Sequence, residues 1–366
     1  MDISDFYPTF AHYLPFFLIK MSKSSIICVL FALYTTVGMA QSYNTTPTWT
    51  SNNKKGGFPL QEMELGVTIG TTGIGLDVSA PLTNSLRLRT GFEVMPHFEK
   101  TMTFEVMSFD QFGNIKQSQF DKMSQTLEMF TGYKADSRID MVGKPTFWNF
   151  KLLVDFYPFH NKHWHLTAGF HWGPSKVAEA INSLDDSPSL FALNMYNHLY
   201  YIADQDINHD NMIPLFEFAD GHQIYLDPIV EKTLISTGYM GLQLGYYNHD
   251  IKDTEGNIIH KAGEPYRMVP NKESQVTATA YANAFKPYLG FGYEGRLFKK
   301  NKGYKVGFDC GMMFWGGTPS IITHDGTDVA KDVDDIEDLP GKYIRLIKGF
   351  KVYPVVNLRI TKTFDL

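Results

Sequence analysis

The chain has 366 residues and a net charge of −6; 14% of it is aromatic, 43% hydrophobic and 20% charged. Abundant Phe and Tyr exclude wholesale disorder, two cysteines exclude a disulfide scaffold, and mild acidity leaves no basic footprint for nucleic acid. Outside the N-terminus no apolar run reaches the roughly 18 residues of a membrane helix, which leaves an aromatic-rich soluble β protein or a membrane β-barrel with its apolarity hidden in alternation.

The first feature along the chain is a secretory signal. Lys23 precedes the apolar run from Ile26 to Tyr34, and the small residues Gly38 and Ala40 stand at −3 and −1 before Gln41. That order of basic, apolar and small residues marks a signal peptide over 21–40, with a mature chain from about Gln41. Residues 1–20, with Pro8 and Pro15, read as a mis-called start ahead of Met21. Cys28 leaves with the signal, so the mature chain keeps only Cys310 and has no internal disulfide. Residues 41–60 are polar and read as a flexible leader, and 61–366 as the structured body.

From Glu62 onward apolar and polar residues alternate with period 2, the mark of strands with two unlike faces. In the clearest case Trp164, Leu166, Ala168, Phe170 and Trp172 share one face, opposite His163, His165, Thr167, Gly169 and His171. Trp148, Phe150, Leu152, Val154 and Phe156 oppose Asn149, Lys151, Leu153 and Asp155 in the same way. Eight such spans are predicted, at 61–70, 73–80, 85–95, 146–157, 163–172, 287–295, 304–315 and 353–364. Several have the roughly 9–11 residues a tilted strand needs to cross a bilayer. Their apolar faces begin or end in Trp, Tyr or Phe, as interfacial girdles do, while Gly and charges of both signs line the other face.

Connection lengths give an independent test. If both ends are periplasmic, the periplasmic turns at 81–84, 158–161 and 296–303 are short. Three of the four external connections, 96–145, 173–286 and 316–352, are long. Short turns on one side and long loops on the other are the habit of outer-membrane barrels. The expected fold is therefore all-β, an antiparallel up-and-down transmembrane barrel of about eight strands. The strand-like segments 238–247 and 275–284 extend the barrel above the membrane or raise the count to ten. A short amphipathic helix is expected over 328–348, interrupted near Pro340 and Gly341, before the last strand.

Five segments share a recurrent strand pattern: Phe150-Lys-Leu-Leu-Val-Asp-Phe-Tyr-Pro-Phe159, Leu166-Thr-Ala-Gly-Phe-His-Trp-Gly173, Lys286-Pro-Tyr-Leu-Gly-Phe-Gly-Tyr293, Tyr304-Lys-Val-Gly-Phe-Asp-Cys-Gly311 and the terminal Tyr353-to-Phe364 strand. On these residues, at the level of pattern, the chain resembles the small outer-membrane β-barrels that include outer-membrane protein A-like and opacity-like proteins, in a version typical of Bacteroidota. The resemblance implies residence in the outer membrane, contact with outer-membrane lipid, insertion by the barrel-assembly machinery, and structural, adhesive or small-permeability roles.

Alternation turns Glu64, Asp77, Glu93, Asp155, Glu294 and Asp309 inward, together with Arg87, Arg89, Lys151, Lys305 and Arg359. An eight-stranded barrel is just wide enough to be filled by side chains, so these charges are expected to pair into a network that plugs it. A narrow pore whose charges select solutes is the alternative. Asp206, Asn208, Asp210, Met212 and Glu217 have the spacing of a calcium loop, with oxygen ligands at positions 1, 3, 5 and 12 and a main-chain carbonyl at 7. The competing reading is an Asp/Asn-rich surface turn. His160, His163, His165 and His171 have no Ser, Cys or Asp cluster that would make them catalytic. Cys310 reads as a small apolar residue facing lipid. The expected function is non-catalytic, with external loops meeting a ligand or cell-surface partner. No cofactor is called for beyond structural calcium, and a small-solute channel or a lipid-modifying enzyme stands behind that reading.

Overall fold

In the computed structural model the described residues are 62–110, 120–131, 135–298, 303–336, 338–349 and 351–365. The expected signal peptide, the residues before it and the leader lie outside them. Strand β1 (Glu62–Gly70) turns at 71–72 into β2 (Gly73–Pro81), and β3 (Leu86–Val94) follows after residues 82–85. The first excursion holds β4 (Lys100–Phe109), helix α1 (Phe120–Thr131) and β5 (Arg138–Pro145). Strands β6 (Trp148–Phe156) and β7 (Trp164–Trp172) come next.

The second excursion opens with β8 (Lys176–Asn182) and helix α2 (Ser187–His209). It continues through the hairpin β9 (Phe216–Glu217) and β10 (Gln223–Ile224), helix α3 (Pro228–Thr237) and β11 (Tyr239–Tyr247). A small hairpin of β12 (Ile251–Lys252) and β13 (Ile258–His260) leads to β14 (Pro265–Met268) and β15 (Thr277–Tyr281). After β16 (Phe285–Arg296) and β17 (Tyr304–Met313), the third excursion contains β18 (Ser320–Thr323), β19 (Val333–Asp334) and helix α4 (Asp338–Gly349). Strand β20 (Tyr353–Asp365) is last.

Eight of these strands close into an antiparallel barrel in the order β1-β2-β3-β6-β7-β16-β17-β20, sealed where β20 pairs β1 with Val67 opposite Ile360. Closure leaves no edge for another chain to pair with. The strands follow the expected spans, and the alternation resolves into two surfaces. Leu76, Phe92, Leu166, Leu289, Met312 and Leu358 point outward and are 45–58% exposed. At one end Trp148 stands 5.1 Å from Phe92 and 5.8 Å from Trp172. At the other, Trp164 stands 5.1 Å from Tyr293 and 6.2 Å from Phe308. A nine-residue strand spans about 30 Å along its axis and about 21–24 Å along the barrel axis at the usual tilt, close to the roughly 25 Å apolar band of outer-membrane barrels.

The strand-like segments inside the long connections do not enter the barrel. They form a second sheet in the order β14-β11-β4-β5-β8-β15-β18, with β19 paired to β11. Five consecutive members of it, β4-β5-β8-β15-β18, repeat the barrel succession β3-β6-β7-β16-β17. Each is joined to its barrel strand through a break of two to six residues. Hydrogen bonds span the breaks, from Met95 N to Phe147 O at 3.2 Å, Thr146 N to Val177 O at 3.0 Å and Gly173 N to Ala284 O at 3.1 Å. The barrel count is therefore eight, and the wall continues beyond it.

This upper sheet has its own apolar core, which includes Ile139, Met141, Leu190, Leu193, Met240, Leu242, Tyr266 and Met268. Helix α2 packs on it through Leu190, Leu193, Tyr196, Tyr200 and Ala203, spaced at three to four residues so that they share one face. Asn197 of the same face donates to Met240 O at 2.8 Å and accepts from Met240 N at 3.1 Å, pairing the end of β11 with a side chain in place of a strand. Helix α4 begins where an interruption was expected. Pro340 falls in its first turn, where a missing N–H has no intrahelical partner to lose.

Candidate functional site: the charge-filled lumen

Inside the barrel the small inward residues make room for the large ones. A Cβ on Gly292 would lie 2.5 Å from His165 Nε2, so glycine there lets the imidazole cross the lumen. All eleven charged residues read from the alternation point inward, and ion pairs connect them. Near the short-turn end Arg87 pairs with Glu64 at 2.8 Å and with Glu294 at 3.1 Å. Lys305 reaches Glu64 at 2.7 Å and Glu294 at 3.4 Å. In the middle Arg89 bridges Asp155 at 2.8 Å and Asp309 at 2.7 Å, and Arg359 meets Asp77 at 2.6 Å. Toward the long-loop end Lys151 joins Glu93 at 2.7 Å and Asp77 at 3.2 Å.

Strand parity also brings in residues the sequence reading did not assign to the network. His165 lies 2.9 Å from Asp309 and His171 3.6 Å from Glu93. Tyr157 donates to Glu294 at 3.1 Å from the turn beyond β6. Lys286 is 1% exposed and donates to Asn149 Oδ1 and Ala284 O, both at 3.4 Å. Its inward parity follows from Tyr288 and Glu294 once β16 is extended upstream from Pro287. Between the charges lies an apolar layer of Leu153, Tyr288, Met313 and Val355, flanked by Tyr353.

What this arrangement can do chemically is pair charge with charge. Acids and bases are paired over the barrel's length, and Asp77, Glu93, Asp155, Arg89 and Lys151 are at most 2% exposed. Removing charges from water is costly, and the cost is recovered only when each finds close partners and its remaining donors and acceptors are bonded. Here Arg89 makes contact with both oxygens of Asp309 (2.7 and 3.1 Å) and Thr167 adds a bond to Asp155 Oδ1 at 2.7 Å, while Arg89 Nε and Asp155 Oδ2 lie buried without a hydrogen-bond partner among the described residues.

The segment proposed as a calcium loop takes another form. Asp206 and Asn208 belong to the last turns of α2, Asp210 caps that helix in the left-handed conformation (φ 51°), and Glu217 sits in the exposed hairpin strand β9. Asn208 donates to Asp204 at 2.7 Å, and Asn211 Nδ2 to Gln205 Oε1 at 3.2 Å. A helix carries positions 1 and 3 along its axis instead of curling them around an ion, so Asp206 and Asn208 do not take the form of a calcium loop. Among the described residues no group of three or more His, Cys, Asp or Glu side chains is placed to hold a metal. His163 sits at the rim, stacked on Tyr293 and within 2.7 Å of the Glu294 carbonyl. Cys310 is on the outer face of β17, partly buried.

No family model matches this chain, and no curated protein matches it either. Solved structures to which the chain is similar include CarO2 and CarO of Acinetobacter baumannii. Each is 12% identical, spanning 83% and 84% of this chain and 98% of the other, with TM-scores of 0.33 and 0.32. A major outer membrane protein from Thermus thermophilus is 11% identical over 83% of this chain and 99% of that one, with a TM-score of 0.25. The strand pairing itself defines the class: an all-β protein built on a closed eight-stranded antiparallel barrel.

Proposed function

We propose that this protein is a non-catalytic outer-membrane barrel whose lumen is sealed and whose folded upper domain meets partners at the cell surface. The observation that carries this is the pairing of the lumen charges with one another, around an apolar cluster, in a barrel too narrow for anything besides its own side chains. The apolar outer belt between aromatic rings supports lipid as its surroundings. The eight-strand form supports kinship with outer-membrane protein A-like and opacity-like barrels, and insertion by the assembly machinery follows from that residence. The second sheet, with its own core, supports an interaction role for the long connections.

Reconstitution in planar bilayers tests the sealed lumen: a silent bilayer is expected, and steady stepwise conductance overturns it. Membrane fractionation with heat-dependent gel migration tests residence. A protein recovered in the soluble fraction without a heat shift refutes the barrel's membrane role.

A further inference from the structure

The upper domain contains a cleft of about 940 Å³, within the size range of small-molecule sites. Its walls come from the C-terminal half of α2, strands β11 and β14, the β12–β13 hairpin, and the loop at 325–332. Two aromatic pairs line it. Tyr247 stacks on His260 with ring centres 4.7 Å apart and 13° between planes, and Tyr200 meets Tyr239 edge-on at 5.7 Å.

The charge on these walls is one-sided. Five lining residues are carboxylates and one, Arg267, is a permanent cation. That cation is already engaged, 3.6 Å from Glu264 and 5.1 Å above the Phe109 ring. Asp204, Asp325 and Asp332 accept mainly from neutral donors. Asn208 serves Asp204 at 2.7 Å, Thr323 serves Asp325 at 2.7 Å, and the main-chain N–H of Asp328 serves Asp332 at 3.1 Å. His209 and His249 stand 3.5 Å from Asp204 and 3.7 Å from Asp332, and carry charge only when protonated. Burial first, and after it the neighbouring carboxylates, hold the Tyr200 and Tyr247 phenols above their usual range. A concave surface of one sign with low-dielectric walls concentrates its field on whatever enters.

We propose that this cleft binds an organic cation, a primary ammonium or guanidinium on an aliphatic stem, with the tyrosine rings receiving the stem and the carboxylates the charge. Aromatic faces attract ammonium and guanidinium groups as well as apolar stems. The carboxylates are spread around the walls and not gathered on one point, which suits an extended organic ion better than a bare metal ion. This rests on reading the upper domain as the interacting surface and names the chemistry it selects.

Calorimetric titration of the full chain in detergent tests it, with spermidine as a free polyamine, a blocked lysine tripeptide as a displayed cation, and a blocked glutamate tripeptide as control. Saturable binding of either cation, absent for glutamate and weakened as salt rises toward about 1 M, is expected. The Asp204→Asn/Asp332→Asn variant should lose on the order of tenfold in affinity. A control variant, Asp220→Asn/Glu255→Gln, removes two exposed charges that do not line the cleft and should bind as the parent does. Spermidine alone binding assigns a free polyamine, and tripeptide binding a cation carried on a chain; both support the site. If neither cation binds, or both variants lose affinity equally, the proposal is overturned, while conductance and fractionation continue to judge the barrel reading separately.

Discussion

Replacing Arg89 by methionine removes the central cation of the lumen and keeps most of its volume. The guanidinium is 2% exposed and holds Asp155 at 2.8 Å and Asp309 at 2.7 Å, themselves 0% and 5% exposed. Both carboxylates stay behind. Asp309 retains His165 at 2.9 Å and Asp155 retains Thr167 at 2.7 Å, so each keeps a hydrogen bond, and of these two direct partners only the histidine, when protonated, offers a countercharge. Taking one partner from a buried pair costs about 3–5 kcal/mol. With a urea slope of about 2 kcal/mol/M, the unfolding midpoint should fall by about 1.5–2.5 M. Urea titration of protein refolded into lipid vesicles, with the heat-shifted gel band as the folded fraction, reads this directly. Arg89→Met/Asp155→Asn/Asp309→Asn leaves no stranded charge and should recover most of the loss. An unchanged midpoint in the single variant, or a triple variant no more stable than the single, refutes cohesion as the role of these charges.

Gly91→Ala should destabilise the barrel by about 1–3 kcal/mol in the same titration, because the new Cβ would lie 2.4 Å from Leu76 O, a backbone atom that cannot swing away. Asn197→Ala leaves the buried Met240 N–H without its acceptor and should cost the upper domain about 1–3 kcal/mol, seen as faster proteolysis there while the barrel's heat shift persists. Asp325 lies outside the barrel; burial alone would raise its pKa, but hydrogen bonds from Thr323, Thr327 and Tyr266 hold it below its ordinary 3.8. A depressed carboxyl contributes stability above its unfolded value and loses it as pH falls through the folded one. The upper domain should therefore become protease-sensitive as pH drops below 3.8, and Asp325→Asn should flatten that dependence; an identical pH profile in the variant rejects the assignment.

The barrel was legible because period-2 alternation is a local signal sustained over nine or more residues, as in Trp164 to Trp172 facing His165 and His171. Parity alone then placed Arg89, Asp155 and Asp309 on one surface, although nothing in the sequence said which acid each base would meet. Leu153 and Met313 belong to the same inner face, yet as apolar residues they gave no hint of a dry layer between the charges. The upper sheet was less legible because β14 and β18 have four residues each and owe their place to distant partners, as when Leu242 pairs with Val106 and Met268. Helix α2 carried a readable stripe from Leu190 to Ala203, but the Asp/Asn-rich end that caps it has the composition of an ion-binding loop. The spacing of oxygen ligands cannot tell a loop from the end of a helix; the apolar stripe upstream can.

The rim of the barrel explains why one connection at this end is short and three are long. Where β1 turns into β2, Thr71 Oγ1 donates to Pro354 O at 3.1 Å, Val356 N donates back to Thr71 Oγ1 at 3.0 Å, and Tyr353 donates to Thr71 O at 2.5 Å. That side is finished locally, with its polar groups satisfied at the rim. The other five strands leave the barrel still hydrogen-bonded to their neighbours, so the second sheet inherits its strand order from the barrel wall, with the pairing displaced by one residue between β8 and β15. Ala178 opposite Ala280 above the break repeats the adjacency of β7 and β16 below it, with Phe170 opposite Pro287. An excursion as long as 173–284 thus starts from two paired stems rather than from free ends, which removes much of the conformational freedom its folding must restrict.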